Sequence, residues 1–103
     1  AGAWAGAAED LARSVEVDAA AGRGADALAL NNLGNALGAL GRWDEALERF
    51  DQAAAADRGV APIALANRAL GAFQKGDGAE AERVARLLIR KDPNFWDMRA
   101  ALA

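Results

Sequence analysis

The side chains best able to do chemistry in this sequence are carboxylates. Glu9 and Asp10 are adjacent, as are Asp44 and Glu45, and Glu80 lies close to Glu82. A pair of carboxylates can divide acid and base roles. The neighbouring residues argue for something plainer. Glu45 precedes Arg49, and Glu82 precedes Arg86, in the i,i+4 order that favours ion pairs along one helix. Most of these carboxylates also fall opposite the apolar stripe, so solvated helix faces explain them better than an acid–base pair.

The rest of the inventory is poor for catalysis. The chain has no His, no Cys and no Tyr. It also has no Thr, and Ser14 is its sole hydroxyl side chain. A Ser-His-Asp or Cys-His device cannot be assembled from these residues. Zinc sites built on Cys or His are excluded, and neither a Walker loop nor a calcium-loop spacing occurs. The string Gly22-Arg23-Gly24-Ala25-Asp26-Ala27 has the G-x-G-x-x-A form of a dinucleotide fingerprint. That motif works only after a buried strand and inside a βαβ unit. Val15-Glu16-Val17 is too short for that strand and sits in a helical pattern, so a glycine-bearing loop is the better reading. The chain is therefore read as non-catalytic, with no cofactor, no metal and no small-molecule substrate.

Charge narrows the partners further. The formal net charge is −3, against the clearly basic balance of a general nucleic-acid binder. Arg83, Arg86, Arg90 and Lys91 make one basic stretch. It reads either as cations stabilising a helix C-terminus or as a patch for an acidic partner. The lack of Cys removes any disulfide framework. No apolar run approaches the roughly 20 residues that span a bilayer, and no signal peptide is visible. The chain starts at Ala1 rather than Met, which leads us to expect processing or truncation.

The elements that must position these residues are helices. Alanine dominates the hydrophobic half of the composition, and β-branched residues are scarce. Leu30, Leu33, Leu37 and Leu40 recur at the three- and four-residue spacing of one helix face. Gly41-Arg42 breaks that run, and Trp43, Ala46, Leu47, Phe50, Ala53 and Ala54 form a second. Gly34 and Ala46 are small residues within the two apolar faces, so the pair is expected to pack closely as an antiparallel hairpin. Further on, Pro62 can occupy the first turn of a helix. Ile63, Leu65, Ala66, Ala69, Leu70 and Phe73 form its apolar side. Gly76-Asp77 turns the chain, with Asp77 placed to cap the next helix. Ala81, Val84, Ala85, Leu88 and Ile89 continue there until Pro93 disfavours helical geometry at Asp92. The patterning predicts an all-α chain with helices over 3–18, 26–40, 43–57, 62–75, 77–91 and 95–103.

The order Leu30, Leu33-Gly34, Leu37, Gly41-x-Trp43, Ala46, Phe50, Ala53 resembles a tetratricopeptide repeat (TPR). Leu33-Gly34 matches the family's Leu-Gly, and Ala46 with Phe50 matches its Ala-x-x-x-Phe. Leu30 and Leu37 stand where the family usually has Trp and Tyr, and Arg58 replaces the closing Pro. Gly76 lies 35 residues after Gly41, which gives a second unit. There Pro93 does match, Asn67-Arg68-Ala69 stands for Asn32-Leu33-Gly34, Gly78 replaces the turn aromatic, and Leu88 sits where Ala is usual. Trp4 to Trp43, Leu11 to Phe50 and Asp18 to Asp57 share an offset of 39. A repeat of about 34 residues plus an insertion of about five, carried in the stretch from Ala19 to Ala27, explains this spacing. The segmentation expected is a half repeat over 1–26, repeats over 27–61 and 62–95, and a half repeat over 96–103. Neither end reads as a polar cap: Trp4 and Leu11 lie at one, and Phe95, Trp96, Met98 and Leu102 at the other. A repeat stack normally needs capped ends, so the chain is expected to be part of a longer solenoid. Trp4 and Trp43 hold equivalent turn positions and are expected in inter-repeat packing. Trp96 is expected in the core or against a segment beyond Ala103.

The resemblance implies a function as well as a fold. TPR solenoids are interaction scaffolds that hold polypeptide segments in a concave groove lined by the first helix of each pair. The lining here would include Asn31, Asn35, Gly38, Ile63, Asn67, Leu70 and Phe73. Asn31, Asn35 and Asn67 would face the peptide backbone, and Ile63, Leu70 and Phe73 its side chains. One familiar variant clamps a carboxylate with paired cations and two Asn. Asn35 and Asn67 match those Asn, but Asn31, Asp97 and Ala101 stand at cation positions, which disfavours chaperone C-terminal tails. The implied function is protein–protein interaction, in the assembly of a larger complex. The alternatives are purely structural stacking in a large complex, or an accessory domain of an enzyme whose catalytic part lies elsewhere. Asn31-Asn32-Leu33-Gly34-Asn35, with the stretch from Pro93 to Ala103, is also similar to chloroplast TPR proteins of plants and algae. That similarity implies a thylakoid location, with any membrane association made through a protein partner.

Overall fold

A computed structural model describes residues 2–22, 24 and 26–94. Five helices follow one another: α1 (Gly2–Ala20), α2 (Ala27–Ala39), α3 (Trp43–Ala56), α4 (Ala61–Lys75) and α5 (Gly78–Lys91). There is no strand among the described residues. The fold is all-α, and each helix packs on the next in sequence. The connectors after α2 and after α4 are too short to let the chain do anything but reverse, so these pairs are antiparallel hairpins. The helix expected over 95–103 lies outside the described residues. So do the half repeat over 96–103 and the roles given to Phe95, Trp96, Asp97, Met98, Ala101 and Leu102.

Local chemistry sets the boundaries. Asp26 accepts a hydrogen bond from the Leu28 N–H at 3.0 Å and caps α2. Asp77 does the same for α5 through the Glu80 N–H at 3.1 Å. Both side chains satisfy amides that a helix start leaves orphaned. α3 has no side-chain cap, but Asp44 and Glu45 put negative charge in its first turn. Gly41 and Gly76 close the two hairpins at φ 79° and 100°, a region that side chains with Cβ avoid. α3 ends without the closing proline because Asp57 makes the turn itself. Its Oδ1 accepts from the Gly59 N–H at 2.7 Å, and its carbonyl accepts from Val60 and Ala61. No strand precedes Gly22. Helix α1 runs to Ala20, and Gly22 then breaks it at φ 75°.

The core is built from alanine and leucine because the helices come close. Ala36, Ala46, Ala53, Ala64 and Ala72 are wholly inaccessible to solvent. Around them pack Leu33, Leu37, Leu47 and Phe50, then Leu30 and Val60, and finally Leu65, Val84 and Leu88 between α4 and α5. Phe50 is buried against Gly34, where a Cβ would lie only 2.5 Å from the ring. In the second hairpin two small residues, Ala69 and Ala85, stand at the places of Gly34 and Phe50, and both line an open recess between α4 and α5.

Three expectations need correcting. Trp4 is 49 % exposed, so it does not share the packed role of Trp43. Glu45 pairs with Arg42 at 2.5 Å instead of Arg49, whose guanidinium reaches Gln52. The apolar side of α4 is split: Leu65 is buried beside Ala64 and Ala72, whereas Ile63, Leu70 and Phe73 are more than half exposed. A helix in a repeat stack has neighbours on only part of its circumference, so its apolar residues need not share one fate.

Candidate functional site

The first helices of the two hairpins, α2 and α4, lie side by side with the start of α3 beneath them. Trp43 fills the gap. A Cβ on Gly38 of α2 would fall 2.7 Å from its ring, and one on Gly71 of α4 would fall 3.6 Å away. The indole is therefore wedged between two helix backbones that are bare at the contact. This leaves an open groove of about 420 Å³ above Trp43. Its walls carry Trp4 from α1, Asn35 from α2, and Asn67, Leu70 and Gln74 from α4. Gly34 and Phe50 contribute to the floor.

The six side chains expected on the concave face are placed differently from one another. Asn35, Asn67 and Leu70 line the groove. Asn31 is buried, and its Oδ1 accepts a hydrogen bond from Asn67 Nδ2 at 3.1 Å. Phe73 is 67 % exposed and lines another, larger and more open recess with Ala66, Ala69, Ala81 and Ala85, between α4 and α5. Ile63 is exposed and lines neither. Sequence reasoning missed Gln74 and the floor formed by Trp43 with Gly71. The α4 sequence offers a signal, because Leu70 and Gln74 are four residues apart and share a helix face with Asn67.

The groove is mostly apolar, with three carboxamides and no Asp, Glu, Lys or Arg among its described lining residues. The side chains of Asn35 and Gln74 make no hydrogen bond among the described residues. The adjacent cation, Lys75, bonds Asp44 of α3 at 2.5 Å, and this contact raises the Lys75 pKa.

A separate ion cluster ties the second hairpin together. Arg68 stands at the place of Leu33 and keeps only 14 % of its side chain exposed. Its Nη1 bonds Glu80 Oε1 of α5 at 2.6 Å. Its Nε lies 2.6 Å from Asp51 Oδ1 of α3, without the alignment of a hydrogen bond. Glu80 also accepts from Arg83 at 2.6 and 2.9 Å. The hydrogen bonds from Arg83, with Arg68 adding to them, hold the Glu80 carboxyl at a pKa of about 2, and partial burial opposes them. Arg86 is paired with Glu82 at 2.6 Å, so two of the four cations in the basic stretch are already matched within α5.

Residues 27–59, which include α2 and α3, match the family model of the tetratricopeptide repeat. Repeats of that family generally mediate protein–protein interaction. No curated protein and no solved structure matches the chain.

Proposed function

We propose that this chain is a non-catalytic interaction scaffold whose α2–α4 groove holds an extended polypeptide segment of a protein partner. One observation carries the reading: a groove over two parallel-running first helices presents the free carboxamides of Asn35 and Gln74 beside Trp4, Trp43 and Leu70. A carboxamide offers both donor and acceptor, so it pairs with peptide C=O and N–H groups without demanding one sequence. The apolar walls supply contact area, as grooves that bind ligands generally do. Asn67 has a different role, because its Nδ2 is committed to Asn31 and only its remaining polar capacity faces the groove. In this reading 27–61 and 62–95 are the two repeats that build the groove, and 1–26 supplies Trp4 to its rim.

The test is a random peptide library selected on the full chain, followed by titration of the enriched peptides. An Asn35→Ala, Gln74→Ala double variant with unchanged melting temperature should lose most of the affinity. Because no charge lines the groove, binding should change little with salt. Undiminished binding by the double variant would move the interaction off this groove.

A further inference from the structure

Resting on the peptide-groove reading above, we infer that the segment it takes is an uncharged, proline-bearing peptide in the polyproline II conformation. The lining decides the charge. A carboxylate or ammonium entering this groove would lose hydration over Trp43, Leu70 and the glycine floor with no countercharge to replace it. Lys75, the adjacent cation, is already bonded to Asp44.

The backbone conformation is set by what the groove offers. A helical ligand has its backbone groups paired internally and gives the amides of Asn35 and Gln74 nothing to bond. A β-strand ligand needs a sheet edge, and the described residues contain no strand. A polyproline II segment has no internal hydrogen bonds and leaves every carbonyl open to an outside donor. Proline adds a carbonyl without an N–H, which suits the side-chain NH2 groups of Asn35 and Gln74.

Aromatic surface supplies the other half. Trp4 is half exposed on the wall, and Trp43, half-buried where the Gly38 and Gly71 backbones pack against its ring, adds its remaining open edge to the floor. Flat pyrrolidine rings pack on such faces. A segment already ordered as polyproline II loses little conformational entropy on docking, which is why aromatic-lined grooves select it.

The experiment follows the tryptophan emission of the full chain during titration with three synthetic peptides of equal length. One is a neutral Pro-Ala repeat, one a neutral Gly-Ser-Ala sequence, and one a Pro-Glu repeat. The Pro-Ala peptide should bind, and the other two should bind at least about tenfold more weakly. Trp4→Ala, and separately Asn35→Ala with Gln74→Ala, should each weaken the Pro-Ala peptide at unchanged helical circular dichroism. Equal binding of the Gly-Ser-Ala peptide, abolished by the groove variants, overturns the polyproline assignment and leaves the groove as a peptide site. Preference for the Pro-Glu peptide also overturns it. A response to none of the peptides, with a response to neutral oligosaccharides, overturns the peptide groove as well.

Discussion

Asn67 donates its side-chain amide to Asn31 Oδ1 at 3.1 Å, so α4 is keyed to α2 by two carboxamides 36 residues apart. Asn31 is the one buried polar residue of the described core, and this bond satisfies its Oδ1. The pair sets the register of the two helices that wall the groove, which makes Asn67 both a lining residue and a joint between repeats.

Asn67→Ala should therefore cost about 1–3 kcal/mol, since it leaves the buried Asn31 oxygen without a partner. Asn31→Ala and Asn67→Ala together should cost clearly less than the sum of the single variants. Urea melts of the four proteins of the cycle give the coupling. Simple additivity would show that the two amides act independently.

The phenylalanines of α3 and α4 should respond in opposite ways. Phe50 is 2 % exposed and Phe73 is 67 % exposed. Phe50→Ala should cost about 3–5 kcal/mol, as large truncations in cores do. Phe73→Ser should stay within about 0.5 kcal/mol of the parent, as surface substitutions do. Denaturant midpoints at constant m-value check both, and a change under about 1 kcal/mol for Phe50→Ala would remove it from the core.

Gly34→Ala should destabilise by about 1–3 kcal/mol, because the added methyl must displace the Phe50 ring. The new Cβ would lie 2.5 Å from that ring. Adding Phe50→Leu should recover part of the loss by making room. Calorimetry reads this as a partial return of the melting temperature. Equal stability of Gly34→Ala and the parent would mean that the helices separate at little cost.

Acid should act through Glu80. Its carboxyl titrates near 2 in the folded chain, against an ordinary 4.5, because Arg83 and Arg68 bond the charged form. A depressed carboxyl contributes stability that is full above its unfolded pKa and is lost as pH falls towards the folded one. The stability gap between the parent and Glu80→Gln should thus be constant above about pH 5 and close between about pH 4.5 and 2. Urea midpoints measured across that range test it. A gap that persisted at pH 2 would place the effect of the substitution elsewhere.

Much of this protein is written in local sequence. Leucine and alanine at helical spacing, Gly41 and Gly76 at the breaks, and Asp26 and Asp77 as caps determine five helices within a few residues of their observed ends. These signals act over one or two turns, so a linear reading captures them. The order from Leu33-Gly34 to Phe50 likewise carries the hairpin, because a close contact between α2 and α3 needs a missing Cβ opposite a large ring. Asn35, Asn67 and Leu70 are legible as groove residues because the first helices of successive hairpins lie side by side.

What the tertiary structure decided is how each side chain divides between neighbours. Asn31 and Asn35 are one helical turn apart on α2, yet one is sealed under Asn67 and the other is open. Leu65 and Leu70 share α4, yet only the first is buried in the cluster with Val84 and Leu88 of α5. Arg68 sits at a leucine position and survives burial because Asp51 of α3 and Glu80 of α5 converge on it. Trp43 becomes a groove floor only because Gly38 and Gly71, from separate hairpins, pack against its ring. Periodicity fixes which side of a helix a residue takes, but burial and charge pairing depend on contacts from other elements, and those distances exist only once the helices are stacked.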